Sequence, residues 1–325
     1  MSDIEPFPVF DGHVDLIYHL QQRFPLQAFS ALDHGQLTPV TLRQGGVRLL
    51  CSAFYCADTF NGPHLALSHL RRLLDHADRC LDGFQRVADP QTLESCWQGN
   101  GPTGLIYLLE NADALLELGS KTAWEWGFRV VGLTHAGRNR LADGNSVANP
   151  GGLTTAGKEL LSELEQCGMV IDLAHLAEPG FWEVLERSSA PLIASHTGLR
   201  PFADLPRNLS PAQLQALLER GGVVGLTVAP EMLKVQGSVS LEDLFRQLDW
   251  LLQTFGPEGI ALGSDFGGFE GEITGLGDHG GLPMLAERLL YAGYDDATVA
   301  AVFGKNWRRF YSTCWGNSTQ GDPEP

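Results

Sequence analysis

The chain has 325 residues, 43% of them hydrophobic and 19% charged, so it can bury a large core and lacks the composition of a disordered protein. Acidic residues number 39 and basic residues 22, and the net charge of −17 argues against binding to nucleic acids or anionic membranes, which need basic patches. No signal peptide or apolar membrane span is recognisable, and the six cysteines form no CxxC pair, so we expect a cytoplasmic protein with reduced thiols.

Eight short apolar runs, rich in β-branched residues and bounded by Gly or Pro, recur along the chain. This pattern is typical of strands that are buried on both faces of a parallel sheet. The runs are residues 8–15, 47–55, 104–111, 128–135, 168–176, 191–197, 222–228 and 259–266. Most intervals between them contain amphipathic helical segments. Thr154 or Thr155 and Ser210 are predicted to cap two of these helices, with Pro211 at a first helical position.

The alternation of eight strands with helices predicts a closed (β/α)8 TIM-type barrel with a metal site at the C-terminal ends of its strands. An open doubly wound sheet is the alternative, but no GxGxxG turn follows a strand. We expect a single domain over residues 1–325, with a rim insertion at about 56–103 and a frayed tail at 316–325.

Polar side chains at the predicted strand ends carry the functional signal. Four of the ten histidines and three carboxylates lie there. They are His13, Asp15, Glu110, His135, His175, His196 and Asp265. The alternation of side chains along a strand points His13 and Asp15 to the same face. Since barrel enzymes build their sites at this end of the strands, we expect these side chains to converge.

A buried cluster of imidazoles and carboxylates is unfavourable without a compensating cation. Mixed nitrogen and oxygen ligands suit Zn²⁺ or another divalent transition metal. The ligands exceed the four positions of one tetrahedral zinc, so we expect two metal ions about 3.5–4 Å apart, joined by a bridging carboxylate. His135 remains open as a ligand or a substrate contact.

Other polar residues are expected to lie outside the metal cluster. His64, His69 and His76 do not share one helix face, so we expect solvated positions. His279, in the loop after the eighth strand, is a weak candidate for approaching the site. Asp172 is more plausible as a structural group or as one that orients a ligand.

The ordered motifs DGHVD, LLEN, GLTHAGRNRLADG, GMVIDLAHL, ASHTGLR, PRNLS, LGSDFGG and GKNWRRF span residues 10 to about 312. The chain thereby resembles the renal (membrane) dipeptidase family of zinc peptidases, in the amidohydrolase superfamily. The resemblance implies a binuclear zinc barrel that hydrolyses dipeptides, and homodimerisation is an expectation at the level of the family. By motif, His13 and Asp15 would bind one zinc, His175 and His196 the second, and Glu110 both.

The same resemblance implies roles for three further residues. His135 resembles the histidine that contacts the substrate and stabilises the oxyanion. Arg207, in PRN, resembles the arginine that binds the C-terminal carboxylate of the dipeptide. Asp265 resembles the acid/base that handles protons of the nucleophilic water and the leaving amine, with a metal-bridging hydroxide as nucleophile.

Two other functions are alternatives to dipeptide hydrolysis. Another amidohydrolase-superfamily enzyme could act on a small amide, a lactone or an N-acyl amino acid. Many of those carry HxH on the first strand and a modified strand-end lysine, whereas this chain has HxD and no lysine ends a strand. A non-catalytic, metal-dependent scaffold would need a broken ligand set, and every predicted ligand position is intact.

Overall fold

The computed structural model describes residues 6–316, and within this range nine strands form one sheet. The strands are β1 (Val9–Val14), β2 (Val47–Tyr55), β3 (Phe84–Arg86), β4 (Thr103–Glu110), β5 (Phe128–Gly132), β6 (Val170–Asp172), β7 (Leu192–Thr197), β8 (Val223–Leu226) and β9 (Ile260–Leu262). Eight of them follow one another as β1-β2-β4-β5-β6-β7-β8-β9, and every neighbouring pair is parallel. Strand β3 pairs in parallel with the first residues of β4. The eight predicted strands are therefore all present, and β3 is additional.

The first and last strands meet and nearly close the sheet into a barrel. A parallel bridge joins Val14 to Phe266, just beyond β9. The Asp265 amide donates to the His13 carbonyl at 2.9 Å, and the Asp15 amide donates to the Phe266 carbonyl at 2.9 Å. The prediction of a (β/α)8 barrel is confirmed.

Helices fill the intervals between strands. In chain order they are α1 (Leu16–Arg23), α2 (Pro39–Gln44), α3 (Leu65–Cys80), α4 (Pro90–Trp97), α5 (Leu115–Leu118), α6 (Ser120–Glu125), α7 (Thr155–Gln166), α8 (Glu178–Arg187), α9 (Pro211–Glu219), α10 (Pro230–Leu233), α11 (Leu241–Phe255), α12 (Leu282–Tyr291), α13 (Asp296–Ala300) and α14 (Asn306–Gly316). Two predicted caps are confirmed: Thr154 accepts a hydrogen bond from the Gly157 amide before α7, and Ser210 caps α9 with Pro211 as its first residue.

An aromatic cluster seals the end of the barrel where the strands begin. The ring of Trp307, on α14, is fully buried, and its Nε1 donates to the Leu262 carbonyl at 2.8 Å. A Cβ at position 12 would lie 2.3 Å from that ring, so Gly12 is required for this approach. Tyr311 of α14 stacks on Phe10 inside the barrel with ring centroids 5.5 Å apart. This buried cluster therefore fills the barrel interior on the side where the strands begin.

The segment 56–103 contains α3, β3 and α4. Its helix α4 is joined to α14 by an ion pair between Glu94 and Arg308 at 2.8 Å, at the sealed end of the barrel. The single-domain division, with 56–103 as a rim insertion, stays a prediction. Gly316 is the last residue of α14, and the rest of the predicted tail lies outside the described residues. None of the helices within 6–316 combines the length and apolar character needed to cross a membrane.

The histidines of α3 and its N-terminus differ in exposure. His64 is exposed and His69 is half-buried, with its ring stacked on Phe60 at 4.1 Å. His76 is buried at 5% exposure, so the expectation of a solvated position is wrong for this residue. It lies one turn from Leu73 and Cys80, on the face of α3 that packs inward.

Candidate metal centre and active site

The predicted site residues reach the open end of the barrel from strands and from the turns after them. Glu110 ends β4 and His196 lies within β7, but His135, His175 and Asp265 lie three residues beyond their strands. The expectation that the site residues lie at strand ends is therefore wrong for these three. His175 and Asp265 have left-handed backbone conformations, with φ of 63° and 67°, and these turns direct their side chains back to the barrel mouth.

The carboxylate of Glu110 lies at the centre of the cluster. Its Oε1 is 3.0 Å from His175 Nε2, 3.8 Å from His196 Nε2 and 4.0 Å from His13 Nε2. Two groups of ligand atoms therefore share this residue, Glu110–His175–His196 on one side and His13–Asp15–Glu110 on the other. Two overlapping triads with one common carboxylate form the arrangement that a bridged pair of cations requires.

The cluster also contains polar atoms that the protein itself leaves unsatisfied. His13 Nε2 is buried and has no hydrogen-bond partner within residues 6–316, although Asp15 Oδ2 lies 3.6 Å away. His175 Nδ1 is also buried without a hydrogen-bond partner among the described residues, while the Nε2 atoms of His175 and His196 lie 3.1 Å apart. Buried polar atoms without partners are costly, and imidazole nitrogens with carboxylate oxygens are ligands that zinc prefers. The residues therefore fit a divalent metal.

The pKa shifts of the cluster residues also fit a metal site. Burial alone lowers the pKa of His13, but the neighbouring carboxylates raise it to about 10. Burial lowers the pKa of His175 to about 3 and that of His196 well below its usual range. Burial opposes ionisation of Glu110, yet the hydrogen bond with His175 and the nearby imidazoles hold its pKa below the usual value. An ionised carboxylate beside two neutral imidazoles presents deprotonated ligand atoms, the form that a metal needs.

His135 reaches the cluster from outside the two triads. Its ring centroid is 4.5 Å from that of His175, and its Nδ1 lies 2.9 Å from Asp58 Oδ2, which also accepts the Gly137 amide at 3.0 Å. Burial lowers the pKa of His135, but Asp58 and Glu110 raise it overall. Sequence reasoning missed Asp58, which lies three residues beyond the end of β2, in a short 3-10 turn.

Arg207 carries a half-buried positive charge at the edge of the cluster. One guanidinium nitrogen donates to the His196 carbonyl at 3.0 Å. Among residues 6–316, no carboxylate lies within 4.0 Å of the Arg207 guanidinium, so no ion pair compensates it. Burial lowers the pKa of Arg207, while the charge of Asp265 opposes that shift. The site therefore holds a cation that an anionic ligand group would stabilise.

Asp265 lies against Asp15 on the other side of the cluster. Burial and the negative charge of Asp15 raise the pKa of Asp265 well above its usual value. A Cβ at position 268 would lie 2.2 Å from Asp15 Oδ2 and 2.6 Å from Asp265 Oδ1, so only Gly268 leaves room for both carboxylates. A carboxyl group with a raised pKa keeps its proton to higher pH than an ordinary aspartate and can donate it during a reaction.

A cavity of about 1050 Å³ lies between α1 and the loop after β9, and its described lining contains neither Asp15 nor Asp265 nor any other proposed site residue. Its lining includes Gly267 and Gly268 from the loop after β9 and Tyr18 from α1. It lies at the end of the barrel opposite to the aromatic seal. The volume is sufficient for a small organic substrate.

Asp172 and His279 lie behind the cluster. Asp172 accepts hydrogen bonds from Ser195, at 2.9 Å from its amide and 2.5 Å from its hydroxyl. His279 is completely buried, and its Nε2 lies 2.8 Å from Asp11 Oδ2. This contact with Asp11 directs His279 away from the metal ligands.

A (β/α)8 barrel with a His and carboxylate centre at the C-terminal ends of its strands defines the class of metal-dependent barrel hydrolases. The sequence model for membrane dipeptidase (Peptidase family M19) matches residues 4–319, and the chain belongs to this family. It is accordingly a metallopeptidase, a hydrolase that acts on peptide bonds. The family predicted from the ordered motifs is confirmed.

Individual relatives agree with this assignment. Dipeptidase aclJ of Aspergillus oryzae is 27% identical over 321 residues, covering 92% of this chain and 76% of its own length. Human Dipeptidase 3 is 26% identical over 323 residues, covering 94% of this chain and 64% of its own. The crystal structure of a metallo peptidase from Rhodobacter sphaeroides, liganded with a phosphinate mimic of the dipeptide L-Ala-D-Ala, is 26% identical with a TM-score of 0.82, over 95% of this chain and 100% of that one.

Proposed function

We propose that this chain is a binuclear zinc dipeptidase that hydrolyses dipeptides with a free C-terminal carboxylate. The observation that carries the proposal is the position of Glu110 Oε1, 3.0–4.0 Å from the Nε2 atoms of three histidines on different strands or turns. Membership of the membrane dipeptidase family supports the reaction class. The dipeptide mimic bound to the Rhodobacter sphaeroides relative supports the substrate class.

In this proposal, His13 and Asp15 hold one zinc, His175 and His196 hold the other, and Glu110 binds both. When bound, the two ions would polarise the scissile carbonyl and lower the pKa of water toward neutrality. The short contacts among the ligand atoms support this division, because each triad lies within 4.8 Å and only Glu110 belongs to both.

His135 is proposed to stabilise the oxyanion that develops on the substrate carbonyl. Its Nδ1 is engaged by Asp58 at 2.9 Å, so its Nε2 side is left for the substrate. The raised pKa of His135 favours the imidazolium, which donates a stronger hydrogen bond to an anion than a neutral ring does.

Arg207 and Asp265 are proposed to act at the two ends of the dipeptide. Arg207, which lacks an ion pair within the described chain, would bind the terminal carboxylate and so restrict the substrates to short peptides. As the peptide C–N bond breaks and the water oxygen bonds to the carbonyl carbon, Asp265 would pass the proton to the leaving nitrogen. The raised pKa of Asp265 suits a group that alternately holds and releases a proton.

Metal analysis combined with peptide hydrolysis tests the proposal. Zinc-reconstituted protein should contain two ions per chain and hydrolyse free dipeptides, and Glu110→Ala should lose metal and activity together. Glu94→Ala removes a carboxylate paired with Arg308 at the sealed end and serves as the matched control. Saturation near one ion, unchanged by Glu110→Ala, would exclude the bridged centre.

Two further expectations rest on the family resemblance and the composition. A homodimer stays a prediction, and light scattering during size-exclusion chromatography would test it. The cytoplasmic location also stays a prediction, which cell fractionation would test.

A further inference from the structure

The hydroxyl of Ser195 lies directly behind two of the proposed metal ligands. Its Oγ is 3.0 Å from His13 Nδ1, 2.9 Å from His196 Nδ1 and 2.5 Å from Asp172 Oδ2. The four residues come from β1, β6 and β7 and are at most 2% exposed. One buried hydroxyl therefore contacts two imidazoles that belong to different triads.

The hydrogen-bonding capacity of this hydroxyl determines how the two rings are oriented. A serine Oγ has one hydrogen and two lone pairs, and an ionised carboxylate can only accept. Ser195 therefore donates to Asp172 and accepts N–H groups from both His13 and His196. With its Nδ1 donating to Ser195, each ring leaves Nε2 as the atom available to a metal, and this atom lies 4.0 Å (His13) or 3.8 Å (His196) from Glu110 Oε1.

We propose that Ser195, anchored by Asp172, is a positioning residue that presents His13 to one zinc ion and His196 to the other. The inference rests on the proposed binuclear centre and extends it, because a single side chain outside the ligand set then controls both metal sites. The 3.7 Å separation of the His13 and His196 ring centroids allows one atom to serve both rings. A loss of this hydroxyl should weaken both sites together.

Ligand atoms of His13, Asp172 and His196 lie within 4.8 Å of one another, so a third metal position is the alternative to an orienting role for Ser195. Ser195 Oγ, however, lies within 3.0 Å of a polar atom on each of them. The hydroxyl therefore already satisfies these atoms, and the geometry favours an orienting role over a third metal position.

The experiment compares Ser195→Ala with Ser52→Ala. Ser52, on β2, is also completely buried, but its hydroxyl has no hydrogen-bond partner in the described part of the chain, so its removal controls for the loss of a buried hydroxyl. Zinc affinity at both sites is measured by competition with a chelator, and ligand geometry by the visible spectrum of the Co²⁺-substituted protein. The melting temperature of each metal-free variant separates general destabilisation from a change at the centre.

Ser195→Ala should lower the affinity for both zinc ions by about 10–100-fold and alter the Co²⁺ spectrum, whereas Ser52→Ala should change neither. Asp172→Asn should act like Ser195→Ala, because an amide N–H₂ turned toward Ser195 Oγ competes with the imidazole donors. It also provides the measurement if Ser195→Ala does not fold.

Two results overturn the inference. One is wild-type zinc affinity and spectrum in folded Ser195→Ala or Asp172→Asn, and the other is a loss confined to one of the two metal sites. A wild-type chain that binds two zinc ions while Ser195→Ala is unaffected refutes only the role of Ser195. A wild-type chain that saturates at one zinc refutes the proposed function itself.

Discussion

Replacing Arg207 by alanine tests the proposed substrate class most directly. In the described chain its guanidinium donates to the His196 carbonyl at 3.0 Å and has no carboxylate within 4.0 Å, so the replacement breaks no ion pair of the free protein. Its effect should therefore fall mainly on the bound substrate. Removing one partner of a desolvated, hydrogen-bonded charge pair costs about 2–5 kcal/mol. At about 1.4 kcal/mol per tenfold, kcat/KM for a free dipeptide should fall by about 30-fold or more.

The assay compares each free dipeptide with its C-terminally amidated form. The amide cannot form the ion pair, so it should be a poor substrate of the wild type and should lose little further activity in Arg207→Ala. Arg207→Lys keeps the charge without the planar guanidinium and should lie between the wild type and Arg207→Ala. Arg246→Ala, whose side chain is 63% exposed on α11, controls for the change in net charge. Equal losses on both substrates, or efficient wild-type hydrolysis of the amide, would refute a carboxylate-binding role for Arg207.

Two further predictions concern carboxylates outside the ligand set. Asp58→Asn should lower kcat by about 10–100-fold with little change in zinc content, because the hydrogen bond that orients His135 loses its charged acceptor; an unchanged kcat in steady-state assays would contradict this. Asp113 is 1% exposed and accepts hydrogen bonds from Arg140 and from the Gly62 amide, the latter at 2.7 Å. Asp113→Asn should therefore reduce the free energy of unfolding by about 2–3 kcal/mol. The loss is limited because Arg140 keeps its ion pair with Glu117. Burial raises the pKa of Asp113, but these partners lower it overall, so this stability should be present above about pH 4 and disappear as pH falls through the folded-state pKa. Urea unfolding above about pH 4 and below the folded-state pKa tests the direction of this pH dependence. If Asp113→Asn lost as much free energy of unfolding in acid as the wild type does, the prediction would be contradicted.

The barrel strands were predictable because both faces of each one are buried. The run LIYLLE, for example, is apolar along its length except for Glu110, and an ionisable side chain in such a run stands out as a candidate ligand. Strand β3 could not be found in this way, since it has three residues and two of them are exposed. Its pairing with β4 depends on tertiary packing rather than on a hydrophobic pattern.

The site residues were predictable in identity but not in their local geometry. His175 and Asp265 lie beyond their strands in left-handed backbone conformations. Such a conformation at a non-glycine residue produces no periodic pattern in the sequence by which it could be predicted. Asp58 approaches His135 from a turn 77 residues earlier in the chain, a contact that strand periodicity does not encode. Ser195 directly precedes His196, yet its importance depends on His13, which is 182 residues away.

The motif DGHVD has a structural role as well as a chemical one. The seam between β1 and β9 is held by few backbone hydrogen bonds, and it lies between Asp15 and Asp265. Asp11 reinforces this seam from within: its Oδ1 accepts the Ser264 amide at 2.7 Å and the His13 amide at 3.2 Å, and its Oδ2 contacts His279 at 2.8 Å. One buried carboxylate thus ties both sides of the seam together immediately below the metal ligands. The spacing of His13 from Asp265 therefore depends on closure of the barrel, because this seam carries proposed ligands on one edge and the proposed acid/base on the other.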